Sequence, residues 1–150
     1  MFDISLTDEA VLESAVNAVY GKIVIGDYAE TFIASLVCWS PEDYADHWAR
    51  ALRHIAEGHD CSALITNYVP PALGSYLVWW PIYRRESLVY IHNQMLFYER
   101  LKHRFEPSRP WDFVPPLRRT DGEGRRISEW KTSFFGVQKC HLRISRKTGR

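Results

Sequence analysis

Residues 40–58 read SPEDYADHWARALRHIAEG, and this stretch decides the fold. Ser40 offers a hydroxyl oxygen to a backbone N–H of the first helical turn, a group that otherwise goes unpaired. Pro41 suits the first helical position, and Glu42 and Asp43 complement the positive end of the helix dipole. Tyr44, Trp48, Leu52 and Ile55 recur at helical spacing, so one side of the cylinder carries an aromatic-rich apolar stripe. Gly58 supplies the left-handed residue on which such helices end. The pattern predicts a helix from Ser40 to Gly58.

On the N-terminal side, residues 7–19 open with Thr7 and Asp8 as caps. Val11, Leu12, Ala15, Val16 and Val19 then fall at helical spacing before Gly21. That pattern predicts an N-terminal helix. A short strand over Lys22–Ile25 and a Gly26–Asp27 turn follow. Glu30–Trp39 alternates between two largely apolar sets, as a central strand does.

On the C-terminal side, Cys61–Asn67 reads as a strand stopped by Pro70 and Pro71. Tyr76–Tyr83 and Leu88–Leu96 flank a turn at Arg84–Ser87 and form a hairpin. Pro81 places the first arm at an edge or a bulge. Phe97–Phe105 reads as a short helix. Residues 106–126, rich in Pro, Arg and Gly, form a long surface loop anchored by Trp111–Phe113. Ile127–Thr132 is a last strand or the lead into a helix at 134–144, and residues 145–150 fray. The expected class is α+β: one domain over 1–150, with a single, largely antiparallel sheet carrying the N-terminal helix and the Ser40–Gly58 helix.

At 150 residues the chain is long enough for a core without staples. Cys38, Cys61 and Cys140 form no CxxC pair, which fits a reducing cytosol. The N-terminus is acidic from Asp3 and lacks the basic and apolar regions of a secretory signal. The longest apolar run, 76–83, is too short to span a bilayer. These features lead to the expectation of a soluble, cytoplasmic protein with no membrane partner.

Charge is divided along the chain. Residues 1–75 carry three basic against eleven acidic side chains, a net of −8, and residues 76–150 carry sixteen against seven, a net of +9. The halves either attract each other within the fold or present an acidic face and a basic tail to partners.

Few motifs carry chemistry. His47, His54, His59 and Cys61 lie within fifteen residues, but no pair has the spacing of a helical zinc pair and no HExxH occurs. They read as solvated histidines on the polar side of the helix, and no metal is expected. No GxSxG, GxGxxG or P-loop is present, so neither a catalytic residue nor a cofactor is expected. Arg84, Arg85, Arg100, Lys102, Arg104, Arg118, Arg119, Arg125 and Arg126, interleaved with Trp111 and Trp130, allow a second reading as an RNA-binding accessory protein. The acidic first half argues against nucleic acid.

The ordered series GKIVIGDYAETF, SLVCWSPEDYADHWARAL, ALITNYVPP, VWWPIYRRESLVYIHNQML and RRISEWK resembles the immunity proteins of bacterial contact-dependent growth inhibition and related polymorphic toxin systems. The likeness spans roughly residues 21–131. It is most specific in the blocks Trp39–Trp48, Trp79–Tyr83 and Ile127–Trp130. The resemblance implies a non-enzymatic cytosolic protein that binds one cognate toxin domain as a heterodimer and blocks it. Toxins of such systems are often nucleases, frequently ones that cut tRNA. Trp39, Tyr44, Trp48, Trp79, Trp80 and Tyr83 then read as scaffold meeting in one core, and Glu129 as the partner of an arginine or as a toxin contact. An acidic inhibitor can steer onto a basic nuclease. Glu42, Asp43, Asp46 and Glu57 on the outward side of the helix, with neighbouring Asp60, are therefore the expected toxin contacts. The arginine-rich 118–126 loop is the alternative.

Overall fold

A computed structural model describes residues 1–148. Its strands are β1 (Phe2–Ala10), β2 (Ala18–Ile25), β3 (Tyr28–Ser35), β4 (Cys61–Asn67), β5 (Tyr76–Arg85), β6 (Leu88–His92), β7 (Gln94–Phe97) and β8 (Glu129–Ser133). The helices are α1 (Pro41–Ala56) and α2 (Phe134–Thr148). The class is α+β, but the single sheet of the sequence reading is two. One holds three strands in the order β1-β2-β3, and the other five in the order β4-β5-β6-β8, with β7 also on β5; all pairings are antiparallel.

The N-terminal helix expected over 7–19 does not form. Phe2, Ile4 and Leu6 alternate along β1 and pair across to Ile25, Ile23 and Gly21 of β2, burying one sheet face. That non-local burial outweighs the helical spacing of Val11 to Val19, of which Leu12 and Val16 end exposed. Gly21 sits inside β2, not at a helix end, because the Phe32 ring lies across it. A Cβ built there would meet two ring carbons at 2.3 Å. Lys22–Ile25 is strand as expected, and Gly26 takes φ 61° in the two-residue turn before Tyr28.

Pro81 lies in a strand paired on both sides rather than at an edge. The β5–β6 hairpin turns at Glu86–Ser87, with Glu86 left-handed at φ 58°. The same register continues from Arg85↔Leu88 to Tyr76↔Phe97, broken only opposite Trp80 and Pro81. Proline gives no N–H to the ladder, so β6 and β7 are separated at Asn93. The helix expected over Phe97–Phe105 is instead the end of β7 and one 3-10 turn at Tyr98–Arg100. Phe97 is held in register with Tyr76, and the Tyr98 hydroxyl donates to the Val69 carbonyl. The last strand is β8, and α2 runs on through Thr148, so 145–148 are helical where fraying was expected. Residues 149–150 lie outside the described residues.

The central core lies between α1, α2, the inner face of the three-stranded sheet and one face of the other. Tyr44, Trp48, Leu52, Ile23, Leu64, Trp80 and Ile82 are all nearly or fully buried there. Burying each such side chain contributes roughly 1.5–3 kcal/mol. Trp79 and Tyr83 point to the opposite face of β5, which the long loop covers. Trp79 packs on Phe105, and the Tyr83 hydroxyl donates to the Pro115 carbonyl at 2.8 Å. The aromatic scaffold therefore uses both faces of one strand: Tyr44, Trp48, Trp79 and Trp80 belong to one buried cluster with Trp39 packed against it, and Tyr83 lies outside it.

Candidate partner-binding surface

Helix α1 positions the expected contacts. Its N-terminus closes in a reciprocal box: the Asp43 amide donates to Ser40 Oγ at 3.1 Å, and the Ser40 amide donates to Asp43 Oδ2 at 2.9 Å. At the other end, Gly58 takes φ 103° and its amide donates to the Ile55 carbonyl, while the His59 amide reaches the His54 carbonyl. These two bonds form a Schellman motif. Inward, the Tyr44 hydroxyl donates to the Ser35 carbonyl at 2.7 Å and accepts the Tyr68 amide at 3.0 Å. Trp48 Nε1 donates to the Ile65 carbonyl at 2.8 Å.

Outward, helical spacing puts Glu42, Asp46, Arg50, Arg53 and Glu57 along one stripe. The stripe is mixed in sign, because Arg53 pairs with Glu57 at 3.5 Å. Asp43 is exposed at the side of this stripe with its carboxylate engaged in the helix cap. Asp60 stands apart, exposed past the Schellman turn, where its carbonyl accepts the Arg84 amide.

Of the three histidines only His59 is exposed as its position implies; His47 and His54 are not solvated. His47 is buried, and its Nε2 accepts the Ile65 amide at 2.7 Å. Burial, with Arg50 nearby, pushes its pKa down to about 3. A backbone hydrogen bond at Pro107 opposes this shift. Proline has no N–H, so that bond must run from the imidazole to the carbonyl. His54 stacks between His59 and Trp111, with ring centroids 3.8 and 3.9 Å away. Burial, then the neighbouring His59, lowers the His54 pKa. Rings lying face to face cannot aim their lone pairs at one ion. Among the described residues, no three His, Cys, Asp or Glu side chains are grouped to hold a metal.

Arginines of the long loop are largely engaged within the protein. Arg119 Nε pairs with Glu129 Oε2 at 3.2 Å, Arg125 with Asp121 and Glu123, and Arg109 with Asp112. Glu129 also accepts from fully buried His92, whose Nε2 lies 3.0 Å from Oε1. Burial raises the Glu129 pKa, but the bonds from His92 and Arg119 outweigh it and hold the carboxyl below its ordinary value. This geometry assigns Glu129 the arginine-pairing role.

Residues 34–140, spanning the close of β3, α1, the five-stranded sheet and the start of α2, match the CdiI N-terminal domain family. The chain belongs to the CdiI immunity protein family. It is 31% identical over 116 residues to the immunity protein CdiI of Enterobacter cloacae, covering 77% of this chain and 79% of that one. A chain of the CdiA-CT/CdiI toxin and immunity complex from Enterobacter cloacae superposes with a TM-score of 0.89 at 28% identity. That match covers 97% of this chain and 99% of the other. The CdiI fold thus includes the two-sheet arrangement that the sequence reading merged into one. No helix among the described residues of this CdiI family member is long and apolar enough to cross a membrane.

Proposed function

We propose that this chain binds one cognate toxin C-terminal domain as a heterodimer and neutralises it by occlusion, transforming no molecule itself. The observation that carries the reading is its likeness, over nearly the whole chain, to a chain of the Enterobacter cloacae CdiA-CT/CdiI toxin and immunity complex. The toxin is a nuclease, with tRNA as its substrate class, and the meeting takes place in the cytoplasm. A nuclease is basic where it grips phosphates, and the acidic first half of this chain is suited to cover such a surface. Glu42, Asp43, Asp46 and Glu57 of α1, with Asp60 beyond it, are the proposed steering charges.

The test is rescue. Cells producing the toxin domain encoded beside this chain arrest and lose intact tRNA. Co-production of the chain restores growth and tRNA integrity. Failure to restore either, with both proteins present and soluble, overturns the proposal. So does substrate turnover by the purified chain alone.

A further inference from the structure

The connection between β1 and β2 is tied at its roots and open at its side chains. The ladder shifts between Leu6 and Ala10. The Thr7 hydroxyl bridges the shift, donating to the Tyr20 carbonyl at 2.8 Å and accepting the Glu9 amide at 3.1 Å. Val11 is buried at the root of the loop, and its amide donates to the Ala18 carbonyl. The Leu36 amide donates to the Asn17 carbonyl at 2.8 Å and ties the far side of the loop to the segment after β3.

On this pinned frame Leu12 is 89% exposed, the most exposed large apolar side chain among the described residues. Val16 stands beside it at 51%, and Val37, next to the tethered Leu36, at 54%. Ile33, in register with Tyr20, is 46% exposed on the outer sheet face that leads to the tip. Asp8, Glu9 and Glu13 flank these residues along the chain, all exposed and in no ion pair among the described residues. Leu6 and Pro41 line one cleft, so the start of α1 lies against the middle of β1, before the shift that leads to the tip. The cations along these elements are Lys22, further along β2, and Arg143 and Lys147 of α2, which line that cleft; Arg143 is paired with Asp3, and Lys147 also shares a shallow cleft with Glu42.

We infer that the β1–β2 tip, with Leu12 and Val16 at its centre and Asp8, Glu9 and Glu13 around them, is a docking surface for the cognate toxin domain. The inference rests on the proposed function and adds where on the chain the toxin is held. An exposed leucine on a loop contributes little to folding, whereas an apolar centre with a charged rim is how specific interfaces are built. The rim selects the occupant: a basic surface, such as one that grips phosphate, with an apolar hollow among its lysines and arginines. Because the loop is tied at both roots, Val11 to Ala18 and Asn17 to Leu36, binding has only the short span between them to order.

The experiment measures association and dissociation of the full chain with the toxin domain encoded beside it. The L12S/V16S variant should keep the wild-type circular dichroism and melting temperature while weakening binding about thirtyfold, mainly through faster dissociation. The E9K/E13K variant should slow association at low salt and approach the wild-type rate at high salt. If wild type binds and both folded variants bind equally well, the inference falls and the proposed function stands. If wild type does not bind, both fall. Self-association of the wild type that L12S/V16S abolishes, with toxin affinity unchanged, assigns the tip to a second copy of this chain and overturns the inference.

Discussion

His47 Nε2 accepts the Ile65 amide at 2.7 Å, joining α1 to β4 across eighteen residues of sequence. That bond exists only while Nε2 carries no proton, and the imidazole is buried. Its pKa is lowered on folding from the ordinary 6.5 to about 3. Below 6.5 the unfolded chain therefore binds a proton that the folded chain refuses, and stability is lost as pH falls toward 3. The loss attributable to this residue is at most about 5 kcal/mol. Urea denaturation between about pH 6.5 and 5, above the carboxylate range, should show a falling unfolding free energy. His47→Leu should be less stable at neutral pH by about 1–3 kcal/mol, since the Ile65 amide is left unpaired, and should show a shallower slope. Equal slopes in the two proteins would mean that His47 does not govern the acid response.

Gly21 gives a direct test of the three-stranded sheet. Gly21→Ala drives a methyl group into the Phe32 ring, which is buried at the edge of Trp48. The expected cost is about 1–3 kcal/mol of unfolding free energy, partly recovered when Phe32 is also shortened to Leu. A neutral Gly21→Ala would contradict the β2–β3 register.

Asp43 separates a structural role from an interfacial one. Ser40→Ala should cost about 1 kcal/mol, and Asp43→Ala a similar amount. The double variant should cost less than the two together, because both remove the same box. Thermal melts of the three variants read this coupling. Additive losses would show that the two bonds act independently.

Charge reversal of the remaining α1 face and its neighbour tests steering. Glu42→Lys, Glu57→Lys and Asp60→Lys together should slow association with the toxin about tenfold at low salt and weaken its salt dependence. Stopped-flow mixing at two ionic strengths reads both effects. Unchanged rates at both would remove this face from the encounter.

Elements specified locally were legible in the sequence. The cap, stripe and terminal glycine of α1 all lie within nineteen residues, and the Gly26–Asp27 turn and the 76–96 hairpin carry their own signals. Misread elements depend on distant partners. Phe2 and Ile4 are seen as strand only once Ile25 and Ile23 are known to lie opposite, so the helical spacing of 11–19 prevailed. His54 reads as solvated because the Trp111 that stacks on it is 57 positions away. The candidate site follows the same division. Helical spacing revealed the acidic stripe of α1, but the arginines within it and the capping bond of Asp43 temper its charge. The exposed tip carrying Leu12 was hidden by the helix assigned to it.

Pro81 cannot offer a hydrogen to the neighbouring strand, and the gap it leaves frees Asn93 from the ladder. The Asn93 side chain instead donates across to Glu30 of the other sheet at 3.3 Å, beside the point where Tyr28 stacks on Trp130. A defect in one layer thus becomes a rivet between two, and a residue that weakens its own strand helps to fix the angle at which the halves of the molecule meet.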